Sequence, residues 1–295
     1  MLRLLVVALL LGVVACGGGG SSSGGSPTFT TVSAIEPGDT VRPPQGSALI
    51  LLGDIDRARV KKLNRILLRR ANLIAGFDAD RELVSVSTGP FGVRLDSAAS
   101  VVDRRIAPAD PRFVLFVRQG NPLQRQTIMA DPNTAGLEHV LFGAWLDPAF
   151  DVAFMEWSVV AAGVFGTFTP AAAVPVTGDA RYEGSAVGYL VDAAGSVTDV
   201  STEVTLNADF AARNVAFTSG AARDVESGTL RPELDTTATL TIQNERFNGN
   251  GTAANGWIAT VDGRFFGPAA EEAAGLFLLG GTGVETLITA FGAAR

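Results

Sequence analysis

Val200-Ser201-Thr202-Glu203-Val204-Thr205-Leu206-Asn207-Ala208-Asp209-Phe210 decides the fold class. Successive side chains of an extended chain point to opposite faces, so Val200, Thr202, Val204, Leu206, Ala208 and Phe210 share one side while Ser201, Glu203, Thr205, Asn207 and Asp209 share the other. One side is apolar and the other wet, the pattern of an antiparallel sheet with a single buried face. Strand-like segments surround it at residues 180–191, 215–218, 236–243, 257–261, 265–266, 276–279 and 284–291. Upstream, Val140, Phe142, Ala144 and Leu146 alternate with Leu141, Gly143, Trp145 and Asp147, and a longer run covers residues 154–168. From His139 onward this predicts about eight antiparallel strands, enough to close a sheet on itself and remove its edges.

The punctuation of this half is read from its turn formers. Asp262-Gly263 predicts a hairpin turn, because tight turns take residues that tolerate positive φ. Pro268 should end the returning arm, and residues 269–274 should turn before Leu276-Phe277-Leu278-Leu279 re-enters the sheet. Gly184, Ala186 and Gly188 share a face with Tyr182 and Leu190, where missing side chains let a strand coil or admit a large neighbour. A barrel set in a bilayer would show the same alternation with its apolar face outward. The N-terminus, below, separates the two and favours a soluble barrel.

Three phrases belong together: Tyr182-Glu183-Gly184-Ser185-Ala186-Val187-Gly188-Tyr189, then Asn207-Ala208-Asp209-Phe210, then Phe265-Phe266-Gly267-Pro268-Ala269-Ala270-Glu271-Glu272 with Gly275-Leu276-Phe277 after it. In this order, over residues 138–295, they resemble the β-barrel domain of the transferrin-binding protein B family of bacterial surface lipoproteins. The resemblance implies a soluble barrel with a small handle domain before it. It also implies capture of a host or environmental molecule, in the best-known members an iron-carrying protein, for handover to an outer-membrane transporter. The chain departs from that pattern in carrying one barrel instead of two lobes.

The preceding region opens with Ala48-Leu49-Ile50-Leu51-Leu52, an apolar run of strand length. Asp54 and Asp56 then precede Val60, Leu63, Leu67, Ala71 and Ile74, spaced by three and four, with Gly76 after them. This predicts a capped amphipathic helix whose other face carries Arg57, Arg59, Lys61, Lys62, Arg65, Arg69 and Arg70. Such a face is either a solvated surface or a docking site for an anionic partner or lipid headgroups. Short strands follow at residues 82–87, 91–95 and 113–118, and Asp110-Pro111, Asn121-Pro122 and Asp131-Pro132-Asn133 punctuate the exit. The expected organisation is mainly β: a small α+β handle-like domain at residues 47–135, then an antiparallel, about eight-stranded soluble β-barrel at residues 136–295.

At the N-terminus, Arg3 and the apolar run 4–14 have the character of a secretory signal, too short for the ~20 residues of a spanning helix. The run ends in Val13-Val14-Ala15-Cys16, similar to a bacterial lipobox, in which residues 1–15 are removed and Cys16 is acylated. Cys16 is the sole cysteine among 295 residues, so no internal disulfide forms. Several acyl chains, at roughly 0.8 kcal/mol per buried CH₂, would hold the protein firmly on a membrane. Gly17 after the cysteine favours the outer membrane, on the sorting rule that comes with the resemblance. Gly17-Gly18-Gly19-Gly20-Ser21-Ser22-Ser23-Gly24-Gly25-Ser26 has no apolar side chain to offset chain entropy and reads as a leash of roughly 17 Å reach. Residues 16–46 are therefore expected to be anchor and linker.

Little catalytic chemistry is on offer. A single histidine, His139, precludes paired-histidine metal motifs, and an acylated Cys16 leaves no thiolate. The Gly-x-Ser-x-Gly match at residues 20–24 lies in the leash, where no strand-to-helix elbow can form. Glu271 and Glu272 are adjacent and should point apart as solvated charges, while His139 reads as a strand-end residue or an axial haem ligand. The cluster Gly280-Gly281-Thr282-Gly283 precedes a strand-like segment, so it reads as a turn instead of a phosphate cradle. No catalytic residue, metal or cofactor is expected, and no motif marks the ligand-contacting residues. A net charge of −7 and a pI near 4.8 argue against a nucleic-acid partner. The expected function is a membrane-anchored surface lipoprotein that binds an extracellular protein or small ligand. The alternatives are a barrel carrying a small apolar ligand or haem, and a passive envelope or adhesion component.

Overall fold

The computed structural model describes residues 31–36, 39–43, 45–56, 59–70, 72–89, 93–96, 102–118, 125–152, 155–280 and 285–295. In chain order the first strands are β1 (Thr40–Val41), β2 (Gln45–Asp56), β3 (Arg59–Arg70), β4 (Asn72–Phe77), β5 (Leu83–Gly89), β6 (Val93–Asp96), β7 (Val102–Ile106), β8 (Phe113–Arg118) and β9 (Arg125–Ala130). A single-turn helix α1 (Pro132–Ala135) leads to β10 (Val140–Val152) and β11 (Met155–Gly166). The remainder are β12 (Asp179–Val191), β13 (Val197–Asp209), β14 (Asn214–Asp224), β15 (Thr236–Gln243), β16 (Arg246–Ala253), β17 (Ile258–Phe266), β18 (Glu272–Gly280) and β19 (Thr286–Ala294).

Three layers result. Strands β12 to β19 close in sequence order into an antiparallel barrel, with β19 pairing back onto β12 from Glu183↔Ala294 to Val191↔Thr286. A seven-stranded sheet, β3-β2-β11-β10-β9-β8-β7, lies against it, and a four-stranded sheet, β1-β4-β5-β6, covers the other face of that sheet. Leu73, Phe77 and Leu83 from the outer sheet pack with Phe116, Trp145 and Phe165 from the middle one.

The barrel is filled by its own side chains. Val200, Val204, Leu206 and Ala208 of β13, with Phe210 just after it, face inward as the alternation requires. The Phe217 ring lies 5.5 Å from Phe277 and 5.4 Å from Phe291, and Phe265 lies 5.9, 5.6 and 5.0 Å from Tyr182, Phe210 and Phe247. These are the separations at which offset aromatic pairs attract. Gly188 is forced by neighbouring backbone, since a Cβ there would stand 1.9 Å from the Ile288 carbonyl oxygen of β19.

Several expectations are corrected. The segment expected as a helix around Arg57 to Arg70 is, where described, β3: an edge strand antiparallel to β2, running from Asp56↔Arg59 to Ser47↔Arg70. Two register shifts, between Leu52 and Gly53 and between Asp54 and Ile55, put extra residues into β3. Such bulges disrupt the period of two and leave apolar residues at helix-like spacings. The handle is accordingly built of strands, and α1 is the α-helix among the described residues; Asp131 caps it by accepting the Asn133 N–H at 3.0 Å, and Gly136 ends it at φ 68°. The strands expected to begin the barrel after His139 are β10 and β11 of the seven-stranded sheet, so the barrel starts at Asp179. They are long and apolar because the sheet is covered on both faces. Asp262-Gly263 is not a turn: both residues lie inside β17, opposite Leu276 and Gly275. The expected signal segment, Cys16 and the Gly/Ser leash lie outside the described residues, as do Asn121-Pro122 and residues 281–284.

Gly263 is required by packing, because a Cβ on it would meet the Phe247 ring at 2.2 and 2.4 Å. Gly263→Ala should therefore overpack the barrel interior and destabilise the protein by about 1–3 kcal/mol, read as a lower urea midpoint.

Candidate functional site

Of the residues that suggested a function, Phe266, Gly267, Glu272 and His139 meet at the seam between barrel and handle, while Tyr182, Ala208 and Phe210 lie in the barrel core. Phe265 and Phe266, consecutive in β17, part to opposite faces: Phe265 enters the barrel core, and Phe266 enters the layer shared with the seven-stranded sheet, with its ring 5.2 Å from Phe168. Gly267 then takes φ 84°, and a Cβ on it would clash with Glu271 Oε2 at 2.4 Å and His139 Cδ2 at 2.6 Å. Left-handed backbone and crowding both demand glycine there. Pro268 follows the end of β17, and Glu271 closes the turn by accepting the Ala269 N–H at 2.8 Å.

Glu272 is not a solvated charge. It is 3 % exposed, and its carboxylate accepts the backbone N–H of Glu138 and of His139, the latter at 3.1 Å to each oxygen. It thus fastens β18 of the barrel to the entry of β10. Burial pushes its pKa up to about 7, with the backbone hydrogen bonds opposing and the neighbouring Glu138 charge assisting. His139 is half-buried, held by this contact at the start of β10 and packed beside Gly267. A cleft of about 40 Å³ beside it is lined by Val32, Ile35, Arg42, His139, Phe165 and Thr167. That is far below the roughly 300–1,000 Å³ of sites for drug-sized ligands. The aromatic filling likewise leaves the barrel interior to its own side chains.

Elsewhere the seam is apolar with a polar rim. Phe113, Leu115, Val140, Phe142 and Val164 of the handle meet Val187, Tyr189, Leu276, Ile288 and Ala290 of the barrel. At the rim, Arg112 places one guanidinium between Asp110 and Glu203, at 2.7–2.8 Å to each carboxylate, and these partners raise its pKa further. Gln126 Nε2 donates to Asp199 at 3.1 Å, and Arg105 pairs with Glu226. Burial raises the Asp199 carboxyl above its ordinary range. Sequence reasoning missed this whole set; the signal available was the apolar parity of β18 outside the barrel, Ala274, Leu276 and Leu278, which requires a cover.

Among the described residues no group of three or more His, Cys, Asp or Glu side chains is arranged to hold a metal ion. Exposed apolar side chains stand at Ile106 on the handle and at Val176, Leu230 and Ile258 on the barrel.

Strands β12 to β19 form a barrel that pairs its first strand with its last and packs against a two-sheet handle. Residues 174–295 match the family described as C-lobe and N-lobe beta barrels of Tf-binding protein B, and they form a transferrin-binding protein B-like β-barrel domain. Solved structures similar to the chain include a surface lipoprotein (15% identity, TM-score 0.47, covering 85% of this chain and 99% of that one). Another is the isotype 1 transferrin-binding protein B of serogroup B Neisseria meningitidis (16%, TM-score 0.41, 85% and 63%). A third is the N-lobe domain of lactoferrin-binding protein B of Moraxella bovis (13%, TM-score 0.41, 85% and 99%). The chain thus spans under two thirds of the meningococcal protein. The search of the curated proteins found no match.

Because one apolar layer belongs to both bodies, they should unfold together. Phe142→Ala, which removes a fully buried ring 6.0 Å from Phe113 and in contact range of Gly292, should cost about 3–5 kcal/mol and still give one calorimetric transition.

Proposed function

We propose that the protein is a lipid-anchored surface lipoprotein that captures an extracellular protein ligand without catalysis, in iron or nutrient acquisition. The observation that carries this reading is the coincidence, in one chain, of Val13-Val14-Ala15-Cys16 followed by a Gly/Ser leash with a transferrin-binding protein B-like barrel at residues 174–295. Acylation at Cys16, palmitate among the chains, holds the protein to the outer membrane, and the leash presents barrel and handle to the outside. The ligand passes to an outer-membrane transporter.

The physical support for a protein ligand is that the described barrel interior is packed with its own side chains, Phe217, Phe265, Phe277 and Phe291 among them, which favours surfaces as the place of binding. A net charge of −7 on the whole chain fits neither nucleic acid nor a polyanion.

Two measurements test the reading. Cys16→Ser should move the protein from the membrane fraction to the soluble fraction; retention on membranes would overturn the anchor. The same soluble variant, immobilised and exposed to host serum proteins, should retain a specific iron-carrying protein, and its loss on competition with free variant would establish a saturable site. Retention of nothing would leave a passive envelope component as the better description.

A further inference from the structure

Glu272 links three parts of the chain. From β18 its carboxylate accepts the N–H groups of Glu138 and His139 at the entry to β10. Glu138 in turn holds the N-terminal segment: its carbonyl accepts the Val32 N–H at 2.9 Å, and its Oε2 accepts the Ser33 N–H at 2.9 Å. Val32 and Ile35 are buried in the handle core, and they follow within ten residues of the Gly/Ser stretch that ends at Ser26. Barrel, handle and the N-terminal segment around Val32 and Ser33 therefore meet in one chain of hydrogen bonds.

The charged and titratable groups around this point come from each element packed there. Glu138 and His139 stand on the segment before β10, and Glu271 precedes Glu272 in its own turn. Arg295 follows β19 and donates its backbone N–H to the Glu271 carbonyl at 3.1 Å. Its guanidinium is engaged elsewhere, at 3.2 Å from the Tyr182 hydroxyl and over the Tyr182 and Phe210 rings. Arg42 lines the adjoining cleft. Burial, and after it the charge of exposed Glu138, disfavour ionisation of Glu272 and outweigh the backbone N–H donors, which favour it.

We infer that Glu272 is a proton-operated latch: neutral, it holds the entry of β10 and the N-terminal segment docked on it against the barrel, and ionised beside Glu138 it loosens all three. The direction follows from linkage. A carboxyl whose pKa rises from 4.5 to about 7 on folding keeps its proton in the folded protein across a window in which the unfolded chain has released it. The folded state therefore binds more protons between those values, and stability falls as pH rises through them. Ion pairs at the rim would shift stability too, so the latch is identified by what disappears when Glu272 alone cannot titrate.

The test compares the full chain with its Glu272→Gln variant by hydrogen exchange at pH 5.5 and pH 8, corrected for intrinsic rates. In the parent, protection of the Val32, Ser33, Glu138 and His139 amides should fall by roughly ten- to a hundredfold between the two. In the variant, whose amide oxygen can still accept a backbone N–H, the same amides should keep nearly constant protection. Equal pH dependence in both proteins, or none in the parent, overturns the latch. Should the variant fail to fold, the Glu272 carboxyl carbon is titrated by NMR in the parent: a midpoint near 7 supports the latch, and one near 4.5 overturns it.

Discussion

The outer surface of β18, β19 and the second half of β12 is apolar, and this single constraint organises the molecule. Ala274, Leu276, Ile288, Ala290, Val187 and Tyr189 would face water on an isolated barrel. At roughly 25 cal/mol per Å² of apolar area removed from water, leaving that side bare would forfeit a large share of a stability that totals only about 5–15 kcal/mol. The seven-stranded sheet covers it. In doing so the described parts of β8 to β11 are buried on both faces, with the four-stranded sheet on their far side, so each layer makes the next necessary.

The opposite side of the barrel obeys the reverse rule. Thr237, Thr239 and Thr241 on β15, Asn250 and Thr252 on β16 and Thr260 on β17 are exposed and stand in cross-strand register, Thr237↔Thr252 and Thr239↔Asn250 among them. The same sheet is thus wet along one flank and dry along the other. Charges gather at the borders: Arg246 pairs with Asp262, while Arg264 pairs with Glu245 and lies 4.5 Å over the Phe168 ring. Cation and aromatic face attract there without burying an unpaired charge.

This asymmetry explains what could be read from the sequence. Strand β15 alternates buried and exposed along its whole length, and β13 alternates from Thr202 onward, and these announced the barrel. Strand β18, buried along most of its length on both faces, has no alternation to read, so the burial of Glu272 could not be told from that of its half-buried neighbour Glu271. In β3 the inserted bulge residues imitated a helical repeat. At Asp262-Gly263 the local turn preference was real but lost to pairing on both sides, with the missing side chain used to admit a phenyl ring. The phrase Phe265-Phe266-Gly267-Pro268 was legible as a motif, but its role as a fastener needed the handle in place, because the partners of Phe266 and Glu272 lie more than 90 residues away in the chain.

The pairing of β12 with β19 also sets a schedule. The cylinder is sealed between residues 179–191 and 286–294, so its first strand lacks one neighbour until the final nine-residue strand arrives. Closure of such a non-local contact is slow, because chain entropy is lost before the contact repays it. During vectorial passage of the polypeptide from N- to C-terminus, β12 to β18 must therefore wait as an open sheet with two unsatisfied edges. Any helper protein that shields the chain in transit would have to protect those edges until the C-terminal strand has emerged.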